Sequence, residues 1–131
     1  MPKNYKILVV DDEKDILETL VNRLSREGYE AVCAHDGEEA ILKVKSDNPD
    51  IILLDLSLPK KNGFEVLKEI REQYKDKWRP VIIISGRTEL ETVKQCYDLE
   101  ADHYLTKPCT MEVVLRGIKT MISLIPARQE V

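Results

Sequence analysis

Apolar residues fall along this chain in two alternating rhythms. Three runs, Ile7-Leu8-Val9-Val10, Ile51-Ile52-Leu53-Leu54 and Val81-Ile82-Ile83-Ile84, have no polar alternate position and read as strands buried on both faces. Two weaker runs, Ala31-Val32-Cys33-Ala34 and Tyr104-Leu105, suit shorter strands or sheet edges. Between the runs the spacing changes to three and four. Ile16, Leu20 and Leu24 form one helical stripe, closed by Gly28, and Asp36 is placed to cap a second helix carrying Ala40, Ile41 and Val44. A third helix is expected from about Gly63 to Tyr74, on the stripe Leu67, Ile70 and Tyr74. A fourth presents Leu90, Val93 and Tyr97, and a fifth runs from about Thr110 to Ile125. Five strand–helix units predict an α/β domain with an open parallel sheet and helices on both faces.

The last helix carries more apolar residues than one narrow stripe holds, from Met111 and Val113 through Leu124 and Ile125. Either the stripe is broad, or a second apolar surface contacts a partner or another copy of the chain. Residues 1–125 are read as one domain, and 126–131 as a tail or the start of a linker.

Composition narrows the function classes. A chain of 131 residues with 43% hydrophobic content fills one core of two or three layers. Its 20 Lys and Arg against 24 Asp and Glu give a net charge of -4, and no basic run exceeds Lys60-Lys61, which argues against direct nucleic-acid binding. Cys33, Cys96 and Cys109 are odd in number and lack metal-site or disulfide spacing, so reduced thiols in a cytoplasmic protein are expected. The segment before the first strand leads into only four apolar residues, which is neither a signal peptide nor a membrane span.

In open α/β sheets ligands bind beyond the carboxyl ends of the strands. There this sequence places Asp11-Asp12-Glu13 after strand one, Asp55 after strand three, Ser85 after strand four and Thr106-Lys107-Pro108 after strand five. Turn and cap formation explains one carboxylate of the Asp11-Asp12 pair, but not a second one together with Asp55 at the end of a wholly apolar strand. Carboxylates this close raise one another's pKa unless a cation neutralises them. A hard divalent ion with oxygen ligands is the simplest remedy, and with no His or Cys alongside, Mg²⁺ fits better than zinc. Lys107 is either an ordinary surface lysine or an ammonium aimed back across the strand ends, and Pro108 admits the cis Lys107-Pro108 bond that would turn it there. Ser85 is either a strand terminus or cap, or a hydroxyl donor to the same ligand. Together these groups describe phosphoryl transfer to a carboxylate, with Asp55 attacking in line and charge neutralised by the metal and Lys107. No glycine-rich phosphate loop is present, and no His is placed to activate a serine.

At this point the chain resembles the receiver domain of bacterial two-component response regulators, close in size to the single-domain chemotaxis-type members. The resemblance rests on Ile7-Leu8-Val9-Val10-Asp11-Asp12, Asp55-Leu56-Ser57-Leu58-Pro59-Lys60-Lys61-Asn62-Gly63, Ser85-Gly86 and Tyr104-Leu105-Thr106-Lys107-Pro108, in that order, from Lys6 to about Leu124. It implies a doubly wound, flavodoxin-like sheet of order 2-1-3-4-5. It further implies a cytoplasmic signalling phosphoprotein rather than a turnover enzyme, with Asp55 as phosphoacceptor. By the same resemblance Mg²⁺, or Mn²⁺ in its place, binds Asp12, Asp55 and the backbone carbonyl of Ser57, and Asp11 mainly through water. Lys107, Ser85 and the Gly86 N–H contact the phosphoryl oxygens. The implied donor is a phosphohistidine on a sensor histidine kinase or phosphotransfer protein, and water slowly removes the group.

In the implied switch Ser85 turns toward the phosphoryl group and Tyr104 swings inward, changing the face of helix four, strand five and helix five, where a homodimer or an output partner docks. Tyr104 also reads as an ordinary strand aromatic. One departure stands out: Glu100 occupies a turn where the family usually has glycine, and a non-glycine residue in a left-handed position costs roughly 1 kcal/mol. Arg87 and Leu56 are placed to control water entry. Two other readings compete. A constitutive binding module on the same fold has no need of the charged cluster, and an enzyme working through an aspartyl phosphate needs a cap or substrate pocket for which little chain remains.

Overall fold

A computed structural model describes residues 4–126. Five strands, β1 (Lys6–Val10), β2 (Glu30–Ala34), β3 (Ile51–Leu54), β4 (Val81–Ser85) and β5 (His103–Thr106), pair in parallel in the order β2-β1-β3-β4-β5. The two weak runs of the sequence are the two edges. The central strands are buried along both faces, as runs without a polar alternate require. Leu8, Val10, Ile52, Leu54 and Ile83 point to one layer, packed under α2 (Gly37–Asp47), α3 (Gly63–Lys68) and α4 (Leu90–Asp98). Ile7, Val9, Leu53, Ile82 and Ile84 point to the other, under α1 (Lys14–Arg26) and α5 (Met111–Ile122).

Local chemistry sets the helix ends. The Asp36 side chain accepts from the Glu39 N–H at 2.8 Å, Asn62 and Glu65 close a reciprocal capping box, and the Thr110 hydroxyl accepts from Val113 N. α1 gives way at Glu27 to Gly28, whose φ of +94° suits glycine.

The structure departs from the periodicity in two helices. α4 does not bury Leu90 and Tyr97, which are 82% and 45% exposed; its inward line runs through Val93, Cys96 and Leu99. A helix with so few apolar positions leaves its rotation open, and packing against the sheet selects the line that carries the small Cys96. The third helix is α-helical only to Lys68 and continues as a π-helical turn over Glu69–Gln73. Ile70 and Arg71 are thereby both turned inward, while Tyr74, expected on the buried stripe, lies outside with Lys45 over its ring.

In α5 the buried stripe takes Val114, Leu115, Ile118 and Met121, and Ile125 continues it beyond the helix end, leaving Val113 in the helix and Leu124 after it as exposed large apolar residues. The tail expected at 126–131 lies, from residue 127 on, outside the described residues.

The inward turn of Arg71 organises the end of the sheet remote from the charged cluster. Its guanidinium, 2% exposed, donates to the Glu100 carbonyl, the Asp76 carbonyl and the Asp102 carboxylate at 3.1, 2.7 and 2.9 Å. Asp102 also accepts from the Val81 N–H at 2.8 Å. Glu100 takes the left-handed conformation, φ 69°, in a turn closed by Ala101 N to Cys96 O and Glu100 N to Tyr97 O. Its carboxylate pairs with Lys77, so the turn forms without glycine because both its carbonyl and its side chain are held. Replacing Arg71 by alanine leaves the Asp102 carboxylate and two carbonyls without this donor. The expected destabilisation in urea unfolding is about 3–5 kcal/mol; a loss below about 1 kcal/mol would show that water replaces the guanidinium.

Candidate functional site

Asp11, Asp55 and Lys107 each stand one step beyond a strand and are tied back by a backbone bond to a neighbouring strand. Asp11 N donates to Ala34 O at 3.2 Å, Asp55 N to Val10 O at 3.0 Å and Lys107 N to Ser85 O at 2.8 Å. The charged groups therefore inherit the rigidity of the sheet. Asp11 and Asp55 are buried, Asp12 is exposed, and an oxygen from each of the three lies within 4.8 Å of the others.

Lys107 spans the cluster. Its Nζ is 2.7 Å from Asp11 Oδ2 and 3.3 Å from Asp55 Oδ2. The second oxygens are held by backbone: Asp11 Oδ1 accepts from Glu13 N at 2.9 Å and Asp55 Oδ1 from Ser57 N at 3.2 Å. The Lys107-Pro108 bond is cis, as the sequence admitted.

Two glycines box the loop after β3. A Cβ on Gly63 would stand 2.4 Å from the Asp55 carbonyl oxygen, and one on Gly37 would stand 1.8 Å from the Lys61 carbonyl oxygen. Gly63 N donates to Leu56 O, and Lys60 pairs with Asp36 at 3.7 Å. The start of α2 thus braces the loop that carries Ser57. Gly37 was not among the expected site residues, although its place directly after the helix cap Asp36 is a sequence signal for close approach.

Ser85, buried at the end of β4, accepts through its hydroxyl from Arg87 N at 3.1 Å. Tyr104 donates its phenol to Arg87 O at 2.8 Å, so Arg87 is the meeting point of both residues expected to switch. Gly86 is exposed beside them. Ser85 and Lys107 are joined through backbone, Lys107 N to Ser85 O, and both border Asp55's end of the sheet through the β4–β5 pairing.

The electrostatics are those of an undercompensated cluster. Burial pushes the Asp55 carboxyl above its ordinary range, opposed by the Ser57 N–H and Lys107 and reinforced by Asp11. Burial also works against the charge of Lys107, but its hydrogen bond to Asp11 and the attraction of both carboxylates outweigh it and hold the ammonium above the usual lysine range. Three carboxylates face one ammonium, so the site has room for a further cation, and its all-oxygen donors fit a hard divalent ion.

The response regulator receiver domain profile matches residues 7–119. The chain belongs to this family. The receiver is 40% identical over 119 residues to the alkaline phosphatase synthesis transcriptional regulatory protein PhoP of Bacillus subtilis, covering 91% of this chain and 49% of that protein. It thus spans about half the length of that curated relative. Among solved structures it superposes on the chemotaxis response regulator CheY4 of Vibrio cholerae with a TM-score of 0.85 at 30% identity, covering 91% of this chain and 99% of that one. A CheY-like receiver domain protein of Methanospirillum hungatei JF-1 gives 0.87 at 26% identity, covering 98% of each chain. The flavodoxin-like order of the receiver sheet is therefore both observed and shared. Among its described residues no helix is long and apolar enough to cross a membrane.

Because the folded Asp55 carboxyl is raised, the fold favours its protonated form, and the associated stability is lost as pH rises through the folded pKa. Asp55→Asn removes that loss. In EDTA at neutral pH the variant is expected to unfold at a higher temperature than the wild type, with the gap closing as pH falls toward the unfolded carboxylate pKa. Thermal melts across that pH series check it; a lower melting point for the variant at neutral pH would show that the Lys107 contact outweighs burial.

Proposed function

We propose that this receiver is a phosphoacceptor switch in which Asp55 takes the phosphoryl group of a phosphohistidine, on a sensor histidine kinase or a phosphotransfer protein, and later loses it to water. The observation that supports it most is the Lys107 ammonium held between Asp11 and Asp55 within a three-carboxylate group. Mg²⁺, or Mn²⁺ in its place, suits these oxygens, with Asp12, Asp55 and the Ser57 carbonyl as direct ligands and Asp11 through water. When bound, the ion supplies positive charge to the non-bridging phosphoryl oxygens.

The protein's own groups do the rest. An Asp55 oxygen forms the new P–O bond as the P–N bond to the donor histidine breaks; the electron pair leaves with the imidazole, which takes up a proton from solvent. Lys107 lies close enough to Asp55 to move from the free carboxylates onto a phosphoryl oxygen without rearrangement of the sheet. Ser85 gives up its contact with Arg87 N and donates its hydroxyl to the phosphoryl group, joined by the Gly86 N–H. Tyr104, released from Arg87, packs inward, and the face of α4, β5 and α5 changes. That face exposes Leu90, Tyr97 and Val113, which suits a second receiver or an output partner. A receiver of this kind works in the cytoplasm, is no turnover enzyme on outside substrates, and here occupies residues 1–125.

Intact-mass measurement after incubation with phosphoramidate tests the reading. A gain of about 80 Da, requiring both Mg²⁺ and Asp55, is expected; the same gain on Asp55→Asn would transfer the chemistry to another residue. Lys107→Ala is expected to keep the fold and lose labelling rate by about 10²-fold or more. An unchanged rate would remove the ammonium from the mechanism.

A further inference from the structure

Beside the charged cluster a cavity of about 460 Å³ opens between α1, α5 and the sheet face they cover. Its walls are apolar, built chiefly from Ile16, Leu20, Leu53, Ile84, Cys109 and Val114. The volume is in the range of small-molecule sites, and the lining is of the kind that binds by excluding water. Cys109, with a short side chain, lines the cavity where the chain enters α5. The interior asks for no polar partner, since among the described residues no buried side-chain nitrogen or oxygen lacks a hydrogen bond.

Charge decides what else the occupant carries. The inner polar wall is Asp11, Asp55 and Lys107, and the ammonium of Lys107 is already engaged by both carboxylates. Asp15 lines the outer part, is exposed in the first turn of α1, and makes no ion pair among the described residues. The nearby Thr19 hydroxyl is spent on the Asp15 carbonyl. Three carboxylates against one ammonium repel an anion and leave a carboxylate at the rim for a cation.

We propose that this cavity is a binding site for a small organic amine, its aliphatic or aromatic body between α1 and α5 and its protonated nitrogen at Asp15. The wall shared with Asp55 and Lys107 sets such a ligand against the phosphoacceptor cluster, which gives the receiver a chemical input besides phosphorylation. The site needs neither Mg²⁺ nor a phosphodonor, so it stands or falls apart from the phosphoacceptor reading.

The test is methyl NMR of the full chain in EDTA, titrated with three probes of one shape: phenylbutylamine, phenylbutanol and phenylbutyrate. Saturable shifts are expected at Leu20, Ile84 and Val114, with the amine bound about two- to five-fold more tightly than the alcohol and the carboxylate weakest. Cys109→Phe, which fills the cavity, is expected to abolish the shifts, and Asp15→Asn to bring amine and alcohol to equal affinity while both still bind. Because Asp15 is exposed, that second variant reads out even if the phenylalanine disturbs folding. No saturable shifts in the wild type, shifts that survive in folded Cys109→Phe, or an amine preference that survives Asp15→Asn would overturn the proposal.

Discussion

The contact on which the rest of this receiver depends is the ammonium of Lys107 laid across Asp11 and Asp55. It joins the ends of three strands that are not consecutive in sequence, and it opposes the burial that pushes the Asp55 carboxyl above its ordinary range. The charge of Asp11 adds to that rise, and in the proposed reaction it is the ionised form of Asp55 that attacks. One ammonium does not balance three carboxylates. The same arrangement that assembles the cluster therefore leaves it short of positive charge, which is the physical basis for the proposed divalent ion and for the proposed attraction of a phosphoryl group once such an ion is bound.

The sheet makes this contact possible at small cost in order. Strands buried on both faces cannot shift register without moving a whole hydrophobic set, so the residue after each strand is fixed in space. Glycine at 37 and 63 then lets the loop after β3 pack with no side chain between it and α2 or α3. By contrast the side chains of Ser85 and Tyr104 both bond to the backbone of Arg87, which stands in an exposed loop. The molecule is rigid where charge is placed and lightly tied where the proposed switch moves.

The strands were legible because consecutive β-branched residues have one good solution, burial between two layers, and the weaker runs suited shorter strands or sheet edges, of which the structure selects the edges. The positions of Asp11, Asp55 and Ser85 were legible for the same reason, since each follows directly on such a run, whereas Lys107 follows Thr106 and the weak run Tyr104-Leu105. Helix rotation was harder. α4 offers Leu90, Val93 and Tyr97 at helical spacing, yet the line through Cys96 is the buried one, because a small residue permits closer approach to the sheet. Arg71 escaped notice because nothing in Glu69–Gln73 announces a π-helical turn, and an arginine next to Ile70 reads as solvent-facing until that turn is known. The left-handed Glu100 was flagged by its residue type, but the groups that hold it, Arg71 and Lys77, are distant in sequence. The cavity lined by Cys109 depends on the spacing of two helices, which no local pattern encodes.

In the proposed switch Asp11, Asp12, Asp55, Ser85 and Lys107 act as one charge-compensating unit around a phosphoryl group on Asp55. A crystal structure of the chain with Mg²⁺ and beryllofluoride, a stable stand-in for that group, tests it most directly. Beryllium is expected on an Asp55 oxygen, Mg²⁺ among the aspartates, and Lys107 and Ser85 each turned onto a fluoride. An adduct absent from Asp55, or one formed while Lys107 and Ser85 keep their contacts to Asp11 and Arg87, would contradict it.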